Sequence, residues 1–148
     1  MEIEKMDNVC ISVNNLEEAI KLYSSLLDTK FIILDTKVEK NVSKHGNSAA
    51  ELARIRIAMD TKGYLELVEY TPPVQKEGLR NIHFKVRDLE KAKAEMKKKG
   101  LRLMVDARVG GLKEAIFHPD DMFGVRFCLV EYDAPTMVEA CQQKRVGK

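Results

Sequence analysis

Near the start of the chain, a segment of alternating apolar and polar residues is followed by one with helical spacing. Val9, Ile11 and Val13 alternate with polar or small residues, as in a half-buried strand. From Leu16 to Leu27, apolar residues recur at three- and four-residue spacings, which places them on one face of a helix. Asn15 is suited to cap that helix. The pattern predicts a strand followed by an amphipathic helix.

The same pattern begins again 73 positions later. Asn8 to Ala19 aligns with Asn81 to Ala92, and Asn, Val, Leu, Glu and Ala recur at equivalent positions. The ends of the two units also match, since Leu67 to Tyr70 and Leu129 to Tyr132 both read Leu-Val-Glu-Tyr. Two matching ends in the same order indicate an internal duplication. The ends are only 62 positions apart, so the first unit is longer, and we expect its extra residues at Lys37 to Ser48.

Each unit reads as a strand, a helix and three further strands. In the second unit Asp88 caps the predicted helix and Gly100 ends it. The sequence therefore predicts an α+β domain of two βαβββ modules, residues 5–70 and 79–132, followed by a C-terminal tail, residues 133–148, with a short helix. The strands predicted after the helices are Phe31 to Leu34, Ala53 to Met59, Tyr64 to Tyr70, Leu101 to Val105, Glu114 to Phe117 and Val125 to Tyr132.

Composition narrows the class of protein. The chain has 148 residues, 45% of them hydrophobic, which suits one domain with its own core. The 25 Lys and Arg residues nearly balance the 23 Asp and Glu residues, so nucleic-acid binding is not expected. The three widely spaced cysteines favour a reducing, cytoplasmic location over a disulfide framework. No apolar run reaches membrane-spanning length, so no membrane association is expected.

The duplicated order of elements resembles the vicinal oxygen chelate superfamily, which includes glyoxalases, bleomycin resistance proteins and dioxygenases. The resemblance rests on Met6 to Val9, Leu65 to Glu69 and Phe117 to Asp121. The closing stretch, which begins at Phe117 and runs to Glu131, looks most like that of methylmalonyl-CoA epimerases. The resemblance implies a glyoxalase-like fold, in which the two modules form an incomplete, barrel-like cup around a ligand, and it implies a homodimer as a common form.

The resemblance also implies a metal site, which can be examined residue by residue. Metal-using members commonly have a His before the apolar core of the first strand of each unit, and a carboxylate or Gln in the last strand. The corresponding residues here are Asn8, Glu66, Asn81 and Cys128. An amide oxygen is a poor ligand for the metals that imidazole suits. We therefore expect no cofactor, and a divalent Zn, Ni, Co or Mn ion is implied by the resemblance alone.

A displaced metal site is an alternative. Cys10 and His83 occupy equivalent positions in the two units, and so do Glu66 and Cys128. Together they offer two thiolates, an imidazole and a carboxylate, a set that zinc accepts. However, Cys10 and His83 lie one strand repeat, roughly 6.6 Å, from the positions that the family uses. Buried cysteines also serve as ordinary small core residues.

Residues two apart in a strand share a face, and this rule predicts the lining of the cup. With the apolar residues turned to the helices, the polar ones face the ligand, and arginine binds carboxylates or phosphates with a fork of donors. The expected partner is a small anionic molecule. The other interpretation is that Arg54, Arg56 and Lys85 extend to the rim or pair with an acidic residue, Glu66. The predicted substrate-binding residues are Asn8, Arg54, Arg56, Asn81, Lys85 and Arg126.

Two functions follow from these residues. The first is an isomerase or lyase in which Glu66 or His83 moves a proton from a carbon next to a carbonyl or thioester. An arginine would hold the anionic end of the substrate. The second is a metal-free, non-catalytic protein that binds or sequesters a small metabolite or drug. Asn at both usual His positions favours the second function, whereas Glu66 and His83 favour the first.

Overall fold

A computed structural model describes residues 1–34, 54–73 and 76–144. Within these ranges, eight strands form one curled, half-barrel sheet, and three α-helices pack on it. The predicted α+β, glyoxalase-like fold is confirmed. The insertion predicted at Lys37 to Ser48 lies outside the described residues. The strands are β1 (Ile3–Ser12), β2 (Phe31–Leu34), β3 (Arg54–Asp60), β4 (Leu65–Thr71), β5 (Gly78–Val86), β6 (Leu103–Val109), β7 (Leu112–Phe117) and β8 (Arg126–Glu131), and the helices are α1 (Leu16–Leu27), α2 (Leu89–Lys98) and α3 (Met137–Gln142).

The order of strands in the sheet reflects the internal duplication. It runs β2-β3-β4-β1-β5-β8-β7-β6, so each module contributes one half. Within each half the first and last strands run parallel, β1 with β4 and β5 with β8. The halves meet where β1 and β5 pair antiparallel. The four strands that carry most of the predicted site residues are therefore adjacent at the centre of the sheet.

The two faces of the sheet have different cover. We call the face packed against α1 and α2 the helix face. Apolar side chains of β1, β3 and β4 pack under α1, and those of β5, β7 and β8 pack under α2. We call the opposite side the cup face. Residues of the helix-face core include Val13, Leu16, Ala58 and Leu67 under α1, and Val86, Ala92, Phe117 and Leu129 under α2.

The predicted helix caps are present. The side chain of Asn15 accepts a hydrogen bond from the backbone N–H of Glu18, and Asp88 does the same for Lys91. Gly100 follows the end of α2 with a φ of +79°, a conformation that glycine adopts without strain. Local chemistry within a few residues thus determines where these helices begin and where α2 ends.

The repeated Leu-Val-Glu-Tyr segment also acts on the helices. Glu69 accepts a hydrogen bond of 2.8 Å from the backbone N–H of Leu16, the first residue of α1. Glu131 accepts one of 2.7 Å from Leu89, the first residue of α2. The first N–H groups of a helix lack partners within the helix, and a carboxylate there is further stabilised by the helix dipole. The glutamate recurs in both units because each one anchors its own helix to the sheet.

Replacing Glu69 with Ala is expected to lower the free energy of unfolding by about 1.5 to 3 kcal/mol, the range for a hydrogen bond to a charged group. The side chain of Glu69 is buried and also receives a 2.9 Å hydrogen bond from Arg56. Urea unfolding at pH 7 measures the loss. Glu17, which is exposed and binds the same arginine, is the control, and Glu17→Ala should change little.

The pH dependence of this effect has a definite sign. The hydrogen bond from Arg56 lowers the pKa of Glu69 in the folded protein, so its stabilisation is complete above the unfolded pKa of about 4.3 and disappears as the pH falls through the lower folded value. The difference in stability between wild type and Glu69→Gln should therefore shrink below pH 4. A difference that stays constant down to pH 2 would contradict this assignment.

The third helix, α3, packs on the cup face. Met137, Val138 and Ala140 are buried in a cluster with Met59 of β3 and Val130 of β8, so α3 joins the two modules. The turn between β6 and β7 contacts the C-terminal part of α3. The backbone N–H of Gly111 donates a 2.8 Å hydrogen bond to the carbonyl oxygen of Ala140. A Cβ atom at Gly110 would lie 2.6 to 2.7 Å from three carbonyl oxygens at residues 140, 141 and 143.

Gly110→Ala should therefore lower the free energy of unfolding by at least about 2 kcal/mol, because the new Cβ atom clashes with the backbone and the φ angle is unfavourable for alanine. The φ of Gly110 is +57°. Gly63 is a matched control, since its φ is +82° and an added Cβ would have nothing within 4 Å. Gly63→Ala isolates the cost of the backbone conformation. Equal losses in the two variants, measured by thermal or urea unfolding, would show that α3 does not press on the turn.

Candidate functional site

A cluster of buried polar side chains lies at the centre of the cup face. His83 of β5 is fully buried, with 0% of its surface exposed, and Cys10 and Cys128 beside it are buried as well. The register explains their proximity, because Cys10 lies opposite Asn81 in β5, and His83 lies opposite Cys128 in β8. The predicted members Cys10, Glu66, His83 and Cys128 thus lie on adjacent strands.

Two carboxylates share one nitrogen of the central imidazole. Nε2 of His83 lies 3.9 Å from an oxygen of Glu66 and 3.5 Å from one of Glu114. Both distances are ionic contacts longer than a good hydrogen bond. The two carboxylate side chains keep 13% and 20% of their surface exposed, whereas His83 keeps none. A ligand in the cup can therefore touch the carboxylates but not the imidazole beneath them.

Glu114 was absent from the sequence-based set. It lies on β7 between Leu112 and Ile116, two apolar residues that share its face. From the alternation of residues alone, that face of β7 is predicted to be apolar core. A single glutamate between apolar i−2 and i+2 neighbours was the signal that could have identified it.

Burial and neighbouring charge shift the acid–base properties of this cluster. Burial raises the pKa of Glu66, and the charge of Glu114 raises it further, against the lowering effect of His83. Burial alone would lower the pKa of His83, but the adjacent thiol and carboxylates outweigh it and the pKa is raised. The pKa values of the Cys10 and Cys128 thiols are raised mainly by burial, that of Cys128 to about 11. Glu66 thus binds a proton more readily than an exposed glutamate does, and both thiols are neutral at physiological pH.

Two arginines and a tyrosine line one side of this cluster. The guanidinium carbon of Arg80 lies 4.6 Å from the ring centre of Tyr70. Burial lowers the pKa of Arg126, and the nearby positive charge of Arg80 lowers it further. The guanidinium of Arg126 donates no hydrogen bond and forms no ion pair with any residue in the described ranges. We call this region, formed by Tyr70, Arg80 and Arg126, the Tyr70 end of the cup.

Arg80 reaches the cup through an irregularity in the sheet. The pairing of β1 with β5 shifts register between Cys10 and Ile11, whose partners are Asn81 and Leu79. Arg80 is the extra residue of this β-bulge, so it shares a side with Asn81 instead of alternating with it. Strict alternation misses such a residue. Two adjacent polar residues at the start of a strand, Arg80 and Asn81, were the available signal.

The duplication places a second bulge at the equivalent point of β1. The register shifts between Met6 and Val9, and Asp7 there accepts a hydrogen bond from the hydroxyl of Tyr132. Lys85 lies 4.3 Å from the ring centre of Tyr132. We call this region the Tyr132 end. The repeat relates the two ends, but the first is cationic and the second is neutralised by its own acidic residues.

The asparagines at the equivalent positions of β1 and β5 are buried with unused hydrogen-bonding atoms. Asn8 is 3% exposed and Asn81 is 6% exposed. Within the described residues, neither the Nδ2 and Oδ1 atoms of Asn8 nor the Oδ1 atom of Asn81 has a hydrogen-bond partner. Each such buried group costs about 1 to 3 kcal/mol when it stays unpaired. A ligand or water that reaches them would recover that energy.

The prediction that Arg54 and Arg56 line the cup is wrong. Arg56 lies on the helix face, where its guanidinium binds Glu17 of α1 at 2.6 Å and Glu69 at 2.9 Å. Arg54 is two residues away on the same side and is exposed. The cup side of β3 instead carries Ile57 and other apolar residues, which pack toward α3. Both faces of β3 are covered, so the apolar residues were assigned to the wrong side.

Lys85 does lie on the cup face, but it already has partners there. Its ammonium group lies 3.2 Å from a carboxylate oxygen of Glu4 and over the ring of Tyr132. It does not pair with Glu66, and it lies away from the Tyr70 end. Asn8, Asn81 and Arg126 are thus the predicted binding residues that are grouped around the central carboxylates.

The potential metal ligands of the cup are not grouped around one point in the described residues. Within residues 1–34, 54–73 and 76–144, no group of three or more His, Cys, Asp or Glu side chains is arranged to hold a metal ion. Asn8 and Asn81 carry neutral amides, which are poor ligands for the metals that imidazole suits. In the described part of the chain, neither the usual nor the displaced ligand set is grouped to hold a divalent ion.

Comparison with known proteins agrees with this fold. The family described as the Glyoxalase/Bleomycin resistance protein/Dioxygenase superfamily matches residues 5–129. The chain belongs to this superfamily. Its fold is similar to that of a methylmalonyl-CoA epimerase from Streptomyces coelicolor, solved in complex with 2-nitronate-propionyl-CoA, at 22% identity, a TM-score of 0.67 and coverage of 90% of this chain and 100% of that one.

Two further solved structures have a similar fold. A methylmalonyl-CoA epimerase from Mycobacterium tuberculosis has 21% identity and a TM-score of 0.66, over 89% of this chain and 90% of that one. A hypothetical protein from Bacillus halodurans has 20% identity and a TM-score of 0.65, over 89% and 96%. No curated protein matches the chain significantly. Among the described residues, no helix has the length and apolar character needed to cross a membrane.

Proposed function

We propose that this protein is an isomerase that moves a proton at the carbon next to the carbonyl or thioester of a small anionic substrate. One observation carries the proposal: Glu66 and Glu114 share a single buried imidazole while each remains open to the cup. Two carboxylates so close to each other cannot both ionise without cost, which favours one acid beside one base. Such a pair can remove a proton from one face of a carbon and return another to the opposite face.

Each group in the cup has a role in this reaction. The ionised carboxylate of the pair takes the proton from the substrate carbon, and the electron pair of the broken C–H bond moves to the carbonyl oxygen. The protonated carboxyl of the pair then gives its proton to that carbon as the electron pair returns. Asn8 Nδ2, a buried donor with no partner among the described residues, is suited to hydrogen-bond the enolate oxygen. His83 touches neither substrate nor product and acts as a positioning residue for both carboxylates.

The Tyr70 end would hold the anionic group of the substrate. Arg126 is half-buried, close to the positive charge of Arg80, and donates no hydrogen bond to the described residues. A carboxylate placed there would restore its lost solvation with two parallel hydrogen bonds. One strand repeat, roughly 6.6 Å, separates the levels of Arg126 and Cys128 along β8, so the anionic group lies a few bonds from the reacting carbon.

Deuterium exchange tests the proposal. The protein, first treated with a chelator, is incubated with methylmalonyl-CoA in D₂O, and mass spectrometry follows deuterium at C2. We expect exchange well above the rate in buffer, accompanied by loss of chirality at C2. Failure to exchange this thioester and a set of small 2-substituted malonyl and 2-oxo acids, by folded protein, would contradict the isomerase.

Binding without turnover is the second candidate. The unpartnered atoms of Asn8 and Asn81, with the Arg126 guanidinium, offer hydrogen bonds whatever the ionisation of the carboxylates. A sequestering protein would be stabilised in a thermal-shift assay by the same anions, yet would exchange no deuterium. That pair of results would select this function over the isomerase.

A further inference from the structure

The C-terminal helix α3 covers one of the two ends of the cup that the internal duplication creates. The family match ends at residue 129, and α3 begins at Met137. The helix packs against Met59, Val130 and Tyr132, and the last of these defines the Tyr132 end. At the Tyr70 end, the described residues of α3 make no equivalent contact. The duplicated cup is therefore asymmetric.

This cover reaches the central carboxylates. Leu112, which packs against α3, is two residues from Glu114 on the same face of β7. Val130, also under α3, is two residues from Cys128 on the same face of β8. The apolar cluster under the helix thus continues directly into the polar cluster around His83. Any group that extends from the carboxylates toward the Tyr132 end meets α3.

Cys141 is a residue of α3 that is coupled electrostatically to the central carboxylates. It is partly buried and packs against the same apolar cluster. Burial raises the pKa of its thiol to about 12, and the charges of Glu66 and Glu114 contribute to that rise. The adjacent Gln142, by contrast, is exposed. One side of the helix thus packs on the apolar cluster that adjoins the carboxylates, and the other faces solvent.

The support for α3 is built into the sheet. The Gly110–Gly111 turn receives the backbone of residues 140 to 143 so closely that a Cβ atom on Gly110 would clash with it. A hydrogen bond from Gly111 to Ala140 fixes the depth of the helix. The helix is held as a fixed wall, in contact with both modules.

We infer that α3 is the specificity-determining wall of the cup, and that it restricts substrates to those with a short substituent at the reacting carbon. The inference rests on the proposed isomerase function and names its substrate class. The anionic group binds at the Tyr70 end, the reacting carbon lies at Glu66 and Glu114, and the substituent on that carbon points to α3. The side chain of Cys141 sets the room available to the substituent.

Three thioesters of increasing size test the inference: methylmalonyl-CoA, ethylmalonyl-CoA and butylmalonyl-CoA. In wild type, deuterium exchange at C2 should fall by at least about tenfold from the methyl to the butyl compound, since a misplaced methylene alone costs a factor of roughly 10 to 200. Cys141→Ala should reduce that fall. Cys141→Leu should lower exchange of even the methyl compound by about tenfold or more. Gln142→Leu adds a leucine on the exposed side of the same helix and should behave as wild type.

The outcomes separate this inference from the function beneath it. If wild type exchanges methylmalonyl-CoA, and if folded Cys141→Leu and Cys141→Ala both treat the three thioesters as wild type does, α3 is not the wall and the isomerase stands. If Cys141→Leu does not fold, Cys141→Ala decides, because a smaller side chain must widen the range. If wild type neither binds the thioesters by calorimetry nor exchanges them, the proposed function fails and takes the inference with it.

Discussion

Glu66→Gln is expected to slow deuterium exchange at C2 of methylmalonyl-CoA by roughly 10² to 10⁴-fold, the usual contribution of one acid–base group. Glutamine keeps the size and one oxygen of the carboxylate but cannot carry the proton. Glu114→Gln should have a similar effect, because the reaction needs both members of the pair. The loss should fall on kcat, with KM little changed, since the Tyr70 end is intact. Initial rates over a range of substrate concentrations separate the two constants.

The double variant and a surface control make this result specific. Residues that act as a unit are not additive, so Glu66→Gln combined with Glu114→Gln should be about as slow as either single variant. Asp106→Asn removes an exposed carboxylate of β6, which pairs with Lys93 of α2, and should leave the rate unchanged. More than a tenth of the wild-type rate in either single variant would rule out the two-carboxylate mechanism.

The pH profile of exchange by the wild-type protein is an independent test of the proposed isomerase. The pKa of Glu66 is raised, first by burial and also by the charge of Glu114. The ionised, proton-accepting form is therefore lost on acidification at a higher pH than for an exposed glutamate, whose pKa is about 4.3. We expect the acidic limb of kcat/KM to lie above that value. Its disappearance in Glu66→Gln would assign the limb to this residue.

The features that the sequence predicted correctly depend on neighbours close in the chain. Asn15 and Asp88 cap their helices through residues three positions away, and such contacts are visible in the sequence. The α+β class was also visible, because the order of strand, helix and further strands can be predicted from the pattern of apolar residues. The reason for the repeated glutamate was not visible, because Glu69 binds a backbone group 53 residues earlier. That contact exists only once β4 lies beside the start of α1.

The wrong assignments of Arg54 and Arg56 arise because alternation does not determine which face of a strand points into the cup. Arg56 alternates with isoleucines, and a strand with one wet face would turn those isoleucines to the helices. In this fold both faces of β3 are covered, one by α1 and the other by the cluster under α3. Arg56 is accommodated on the helix face because Glu17 and Glu69 neutralise it there. The pattern shows that side chains alternate between two faces of the strand. Which face packs against α1 and which packs toward α3 depends on the packing of these distant helices.

The site residues that were missed have two different causes. Arg80 is brought to the cup by a bulge, and a bulge changes the face of a side chain without changing the composition of the strand. Glu114 occupies a position that its neighbours mark as apolar. It is tolerated there because His83 lies 3.5 Å away and supplies the opposite charge. Both positions break a local rule, which is a common property of functional sites.

Arg126→Ala should raise the KM for methylmalonyl-CoA by roughly 10 to 100-fold while kcat changes much less, because a hydrogen bond to a charged group contributes about 1.5 to 3 kcal/mol to binding. Arg126→Lys should recover only part of the loss, since lysine keeps the charge but not the planar fork. The ligand-free Arg126→Ala protein should unfold at the same temperature as wild type or at a higher one. Burial and the positive charge of Arg80 both disfavour the charged form of Arg126. Removing the Arg126 side chain therefore removes an unfavourable contribution to the free energy of folding.

Arg108, which is exposed on the edge strand β6, provides the matched control. Arg108→Ala removes the same charge from the chain and should leave KM unchanged, which separates a local contact from a long-range effect of net charge. Thermal unfolding with and without the thioester gives a second measure, because only variants that still bind are stabilised by it. Equal KM values in Arg126→Ala and wild type would show that the anionic group of the substrate does not bind at the Tyr70 end. The role of the two central carboxylates would then be decided by the exchange rates of Glu66→Gln and Glu114→Gln.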